Sequence, residues 1–119
     1  MAKIVVIDDD PEITDLVEYA LVSEGYEVFV CSNGREAMDT IKQHRPDVIV
    51  LDVMLPGIDG YAVANKLSQD EQTKNIPIVV ITALEQSQGM FEKFYQVKAF
   101  LPKPFSTERV LETVKSALK

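Results

Sequence analysis

One cysteine, Cys31, stands in a chain of 119 residues, which excludes an internal disulfide and fits a reducing, cytoplasmic setting. Its expected role is that of a small buried apolar residue. There is also only one histidine, His44, and no convincing Ser-His-Asp or Cys-His constellation assembles around it. Placed before Arg45-Pro46, it reads as a residue at a helix C-terminus, where its partial charge suits the helix dipole. Basic residues are in deficit: 12 Lys and Arg face 19 Asp and Glu, for a net charge of −7. That balance argues against direct nucleic-acid binding, because phosphate backbones require basic patches. It leaves open a partner or linked domain that binds DNA. No apolar run approaches the ~20 residues of a membrane span, so no membrane association is expected. Repeats, low-complexity stretches and an internal linker are absent. Met1-Ala2-Lys3 leads directly into an apolar run, which is expected to leave no room for a signal peptide.

Hydrophobic residues at 46% and charged residues at 26% describe an ordinary soluble protein, expected to form a single domain over residues 1–119 with one well-buried core. Apolar runs alternate with helical periodicity from end to end. Strands are predicted at about Lys3–Ile7, Glu27–Cys31, Asp47–Leu51, Ile78–Ile81 and Ala99–Leu101. Three are continuous Val/Ile/Leu runs, the pattern of strands covered on both faces. After the first, Asp10 suits an N-cap and Pro11 the first helical position. Ile13, Leu16, Val17, Ala20 and Leu21 then recur at helical spacing, with Gly25 as a stop. Further helices are predicted at about Gly34–Gln43 (burying Ala37, Met38 and Ile41, with Pro46 ending it), Gly60–Ser68 (Val63, Ala64, Leu67) and Glu85–Gln96 (Met90, Phe91, Phe94, Tyr95). The fifth starts near Ser106 and buries Val110, Leu111, Val114 and Leu118. Gly57 and Gly60 flank Ile58-Asp59 in what reads as a tight loop.

The fold class is therefore α/β, a doubly wound (βα)5 domain with a five-stranded parallel sheet in the flavodoxin-like order 2-1-3-4-5. Ligands of such sheets sit beyond the carboxyl ends of the strands. Asp8 and Asp9 follow the first strand, Asp52 the third, Thr82 the fourth, and Lys103 the last. Each residue alone has an ordinary explanation; their joint placement at one sheet edge does not. Crowded carboxylates repel, and a hard divalent cation with oxygen ligands, most naturally Mg²⁺, relieves that repulsion. With the cation bound, Asp52 is placed to act as a nucleophile toward phosphorus. The Lys103 ammonium would neutralise charge on the transferring group, and the Thr82 hydroxyl would donate to a phosphoryl oxygen.

Taken in order, Ile4-Val5-Val6-Ile7-Asp8-Asp9-Asp10, Val48-Ile49-Val50-Leu51-Asp52-Val53-Met54-Leu55-Pro56-Gly57-Ile58-Asp59-Gly60, Ile78-Val79-Val80-Ile81-Thr82-Ala83 and Lys103-Pro104-Phe105 closely resemble the receiver domain of two-component response regulators. The resemblance spans nearly the whole chain. It implies that Asp52 is phosphorylated by the phosphohistidine of a histidine kinase or histidine phosphotransfer protein, and that Thr82 and Lys103 assist. It implies that Mg²⁺ is held by Asp9, Asp52 and the Met54 carbonyl, with Asp8 acting through water. Thr82 and Phe100 would be the switch residues, and the Lys103-Pro104 bond would be cis. Pro102 is tolerable if the last strand lies at the sheet edge. A downstream effector or fused output domain would read the changed face formed by the fourth helix, fifth strand and fifth helix, to which Tyr95 would contribute, and a phosphorylation-dependent dimer is a further implied partner. Such a domain is not an enzyme in its own right beyond catalysing its own phosphorylation and dephosphorylation.

The chain departs from the family pattern in two places. Gln96-Val97-Lys98-Ala99 replaces the usual Gly-Ala before the last strand, and Met54 and Leu84, at positions that tune loss of the phosphoryl group, are both apolar. Three rival functions fit the chain less well. A haloacid-dehalogenase-like phosphatase, hydrolysing an aspartyl-phosphate with Mg²⁺, shares the Asp, Thr and Lys but needs a further acidic pair beyond the Lys, where only Glu108 and Glu112 stand, at helical positions. A flavin-binding module would carry a Ser/Thr/Gly-rich phosphate loop where this chain has Asp9-Asp10-Pro11-Glu12. A degenerate receiver acting only as a docking module would not keep the full set of polar residues.

Overall fold

The computed structural model describes residues 2–55, 58–83 and 88–119, apart from the side chain of Gln88. Five strands alternate with five helices: β1 (Lys3–Ile7), α1 (Pro11–Val22), β2 (Glu27–Cys31), α2 (Ala37–His44), β3 (Val48–Asp52), α3 (Gly60–Gln69), β4 (Ile78–Thr82), α4 (Gln88–Phe91), β5 (Val97–Pro102) and α5 (Thr107–Leu118). All strands pair in parallel in the order β2-β1-β3-β4-β5, as the sequence predicts.

The pleat explains why the central strands read as unbroken apolar runs. Odd and even residues face opposite sides, and both sides are covered. Val5, Ile7, Ile49, Leu51, Ile78 and Val80 pack with Ala37, Ile41, Val63, Ala64, Leu67, Phe91 and Phe94 on the α2–α3–α4 side. Ile4, Val6, Val48, Val50, Val79, Ile81 and Leu101 pack with Val17, Leu21, Val110 and Val114 on the α1–α5 side. Cys31 is buried at the end of β2 as a free thiol.

Local chemistry sets the helix ends. Asp10 accepts a hydrogen bond from the Glu12 amide at 3.0 Å with Pro11 at the first helical position, and Ser106 caps α5 through the Arg109 amide at 3.2 Å. Gly25 takes a φ of +91°, which reverses the chain after α1. His44 closes α2 and stacks on Phe29 with ring centroids 3.7 Å apart. Pro102 lies in the edge strand β5, where a missing amide is tolerated.

Three expectations need correction. The described part of α4 is only Gln88–Phe91; the predicted start at Glu85 lies outside the described residues, and the chain beyond Phe91 runs through turns. Of the residues at helical spacing there, Phe91 and Phe94 are buried, while Met90 and Tyr95 are 52% and 88% exposed, which leaves Tyr95 on the surface, as the sequence implies. The second helix begins at Ala37, not Gly34. Gly34 instead packs against the β3–α3 connection, where a Cβ would lie 2.2 Å from the Ile58 carbonyl oxygen. The last strand starts at Val97: Ile78 pairs with Val97 and Val79 with Ala99, so Lys98 is a bulge residue on the outer strand. A Gln96 side chain, 3% exposed, holds this altered entry in place by donating to the Thr73 and Ile76 carbonyls at 3.1 and 2.9 Å.

Candidate functional site

The sheet register gathers the polar residues. Ile7 pairs with Leu51, so Asp8 and Asp52 emerge at the same level; Asp52 pairs with Ile81, which sets Thr82 one residue beyond. Thr82 pairs with Pro102, and the Lys103 amide donates to the Thr82 carbonyl at 2.9 Å. The Lys103-Pro104 bond is cis. Pleat parity places Thr82 with Val80 and Phe100 on the α2–α3–α4 side.

Asp8, Asp9 and Asp52 each offer a carboxylate oxygen within 4.8 Å of the others. Asp8 and Asp52 are buried and Asp9 is exposed, so the cluster has a dry floor and one open wall. The Lys103 ammonium lies 3.6 Å from Asp52 Oδ1 and 3.8 Å from Asp8 Oδ2. Thr82 is buried beside them, only 2% exposed. Asp10, by contrast, spends its carboxylate on capping α1 and stands outside the cluster.

The electrostatics follow from burial. Asp52 is pushed up to about 6, first by burial and then by the Asp8 charge, with Lys103 and the Met54 amide pulling the other way. Asp8 is also raised, again chiefly by burial, against the opposing Asp10 amide and Lys103. Its Oδ1 accepts from the Asp10 amide at 3.0 Å, whereas its buried Oδ2 has no hydrogen-bond partner among the described residues. Such an orphaned oxygen is costly unless something else satisfies it. Three hard oxygen donors, one of them unsatisfied, fit a Mg²⁺ ion, which needs few protein ligands and keeps several waters.

Two features around the cluster escaped the sequence reading. Asp59, taken there as part of a tight loop, is the N-cap of α3 and accepts from the Ala62 amide at 2.8 Å. Gly60 is where α3 meets the end of β3: its amide donates to the Val53 carbonyl at 2.8 Å, and a Cβ would fall 2.3 Å from the Asp52 carbonyl oxygen. A Gly preceded by a capping Asp just after an acid-tipped strand was the available signal. Leu84 and Gly57 lie outside the described residues. The Met54 side chain, two residues beyond Asp52, is 65% exposed.

Comparison with known proteins agrees with this architecture. Residues 4–115 match the family model described as the response regulator receiver domain. The chain is 40% identical over 120 residues to the DNA-binding dual master transcriptional regulator RpaA of Synechocystis sp., covering 100% of this chain but 50% of that protein. It is 37% identical to the polar-differentiation response regulator DivK of Brucella anthropi, covering 99% of this chain and 98% of that one. The chemotaxis response regulator CheY4 of Vibrio cholerae superposes with a TM-score of 0.92 at 30% identity, covering 98% of each chain. The chain thus spans about half the length of one of these curated relatives and nearly all of the other. Its strand order, its acid cluster and these matches together make it a member of the receiver domain family of two-component response regulators, the phosphoaccepting switches of that signalling system.

Proposed function

We propose that Asp52 is the phosphoacceptor, taking a phosphoryl group from a phosphohistidine on a histidine kinase or histidine phosphotransfer protein. The observation that carries this reading is the convergence of the Asp8, Asp9 and Asp52 oxygens within 4.8 Å, with the Lys103 ammonium 3.6 Å from Asp52. In the transfer, an Asp52 carboxylate oxygen forms a bond to phosphorus as the phosphorus–nitrogen bond of the donor breaks, and the departing imidazole keeps the electron pair and takes up a proton. Asp52 is buried, so its nucleophilic oxygen is little shielded by water. Lys103 supplies positive charge to the transferring group, and the Thr82 hydroxyl donates to one of its oxygens.

Asp8, Asp9, Asp52 and the Met54 carbonyl are the proposed holders of Mg²⁺, which when bound neutralises phosphoryl and carboxylate charge. The new group brings about −1.5 to −2 charges into an acidic pocket. Thr82 and Phe100 lie on the same side of neighbouring strands, and the switch consists of Thr82 moving toward the phosphoryl group and Phe100 taking up the space behind it. A partner preferring the changed face then stabilises it by its differential affinity alone. That partner is an effector or a linked output domain, or a second copy of this chain; the likeness to a DNA-binding regulator supports an output on DNA made by something other than this acidic domain. Residues 1–119 act as one receiver domain in the cytoplasm. Among the described residues no helix is long and apolar enough to cross a membrane.

Acetyl phosphate with Mg²⁺, followed by intact mass, tests this reading. A single phosphoryl adduct is expected in the parent chain and in Asp10→Asn, and none in Asp52→Asn. An adduct that persists in Asp52→Asn overturns the assignment, and steady turnover of a phosphate ester would favour a phosphatase.

A further inference from the structure

The ring of Phe100 does not end its contacts within the sheet. It meets Phe91 edge-on, with centroids 6.4 Å apart and planes at 70°. Phe91 is fully buried and in turn meets Tyr61 at 5.8 Å and Phe94 at 6.2 Å, while Tyr61 and Phe94 lie 5.4 Å apart. The exposed Lys93 ammonium sits over both outer rings, 5.1 Å from Tyr61 and 5.3 Å from Phe94. A line of rings therefore runs from β5 through the core to the surface at the start of α3. Packed aromatic pairs hold one another's tilt, and a close-packed interior passes on a displacement because it has no slack to absorb it.

The backbone that carries Tyr61 is held firmly against the end of β3. Tyr61 follows Gly60, whose amide is bonded to Val53 and whose α-carbon lies so close to the Asp52 carbonyl that no side chain fits between them. Tyr61 thus combines an anchored backbone with a ring whose tilt answers to Phe91. This side of the sheet is covered at that point by rings and turns, since the described α4 ends at Phe91 and Phe94 lies beyond it.

We propose that Tyr61 and Lys93 form a surface that reports the state of the switch: movement of Phe100 turns Phe91, and the Tyr61–Lys93 contact on the α3–α4 face is remade. Phosphorylation is then expressed on this face as well as along β5 and α5. The inference rests on the reading above that Asp52 is the acceptor and Phe100 a switch residue.

Beryllofluoride with Mg²⁺, a stable mimic of the phosphoryl group, is the probe, with NMR of the Thr82 methyl and the Tyr61 ring as readouts. In the parent chain both signals shift on addition. In Phe91→Leu the Thr82 shift remains and the Tyr61 shift is lost; in Phe94→Leu, which leaves the Phe100–Phe91–Tyr61 line intact, both remain. Phe100→Leu, at a half-buried position, repeats the test without opening the core and again abolishes the Tyr61 response. A Tyr61 ring that stays still while Thr82 moves in the parent chain, or that still moves in Phe91→Leu and Phe100→Leu, overturns the relay and leaves the phosphoacceptor reading standing. A Thr82 methyl that does not respond overturns that reading, and the relay with it.

Discussion

Lys103 Nζ lies 3.6 Å from Asp52 Oδ1, yet the ammonium does not bring that carboxyl into its ordinary range. Burial and the Asp8 charge outweigh it, and the Asp52 pKa stands at about 6 in the fold against 3.8 for a free side chain. The metal-free folded state therefore binds more protons than the unfolded chain between pH 3.8 and about 6. Stability contributed by this group is present at the acid end of that window and lost as pH rises through it. A gap of this size is worth up to roughly 3 kcal/mol. Urea unfolding in chelator across this range should show the parent chain losing stability relative to Asp52→Asn as pH rises. A difference that stays flat would mean the site is wetter than its burial implies.

The same electrostatics separate the three acids. Asp9 is exposed, so removing its charge relieves little in the absence of metal, and Asp9→Ala should unfold within about 0.5 kcal/mol of the parent chain in chelator. Asp8→Asn, at a buried position, should be more stable than the parent above pH 6 under the same conditions. With Mg²⁺ at 100 times its Kd the parent should gain about 2.7 kcal/mol, and Asp9→Ala should lose most of that gain. Thermal melts with and without Mg²⁺ measure both effects. An Asp9→Ala chain that responds to Mg²⁺ like the parent would remove Asp9 from the ligand set.

Much of this was legible in the sequence because the signals were strong and local. The runs ending in Asp8, Asp52 and Thr82 are buried on both faces, so no other element type suits them, and their parallel pairing then fixes which side chains meet. Asp10-Pro11 and Ser106 marked helix starts through capping chemistry that acts within three residues. The region from Met90 to Lys98 resisted for the opposite reason. Its Phe91, Phe94 and Tyr95 sit at helical spacing, but the burial of Phe91 and Phe94 is set by Tyr61 and Phe100, which are remote in the chain. Local pattern does not reveal the role of Gly34, because its need for a bare α-carbon comes from Ile58, which is remote in the chain.

Gln96 offers a test of how that region is held. Its amide donates to two carbonyls, those of Thr73 and Ile76, and its own backbone oxygen accepts from the Ile78 amide at 2.8 Å. Gln96→Leu keeps the volume but leaves both side-chain-bonded carbonyls short of a donor, one of them at a buried contact. The expected loss is about 2 kcal/mol, together with faster amide exchange in β5 and unchanged Mg²⁺ affinity. Equal stability would show that water replaces the amide without penalty.

Gly60 sets the distance between α3 and the end of β3. A methyl there would fall 2.3 Å from the Asp52 carbonyl oxygen and 2.7 Å from the Val53 α-carbon, both backbone atoms that no rotamer change can clear. Gly60→Ala should therefore cost about 2 kcal/mol or more in urea unfolding, and it should weaken Mg²⁺ binding because relief of the clash displaces Asp52. Gly89→Ala is the control: nothing lies within 4 Å of the Cβ position there, and the substitution should leave Mg²⁺ binding unchanged.

Met54 follows Asp52 by two residues, and its side chain is 65% exposed. Water that hydrolyses an aspartyl-phosphate has to reach Asp52 from solvent, and a side chain this exposed two residues away is placed to meet it. A thioether cannot orient such a water, while an amide can both donate to it and accept from it. The phosphorylated chain is therefore expected to be long-lived, and Met54→Asn to lose its phosphoryl group several-fold faster, with Met54→Leu close to the parent. Loading with acetyl phosphate, removing the donor and following the adduct by intact mass gives the rates directly. If the Asn and Leu variants decay alike, approach of water is set elsewhere around Asp52, and the Met54 side chain has no part in the lifetime of the signal.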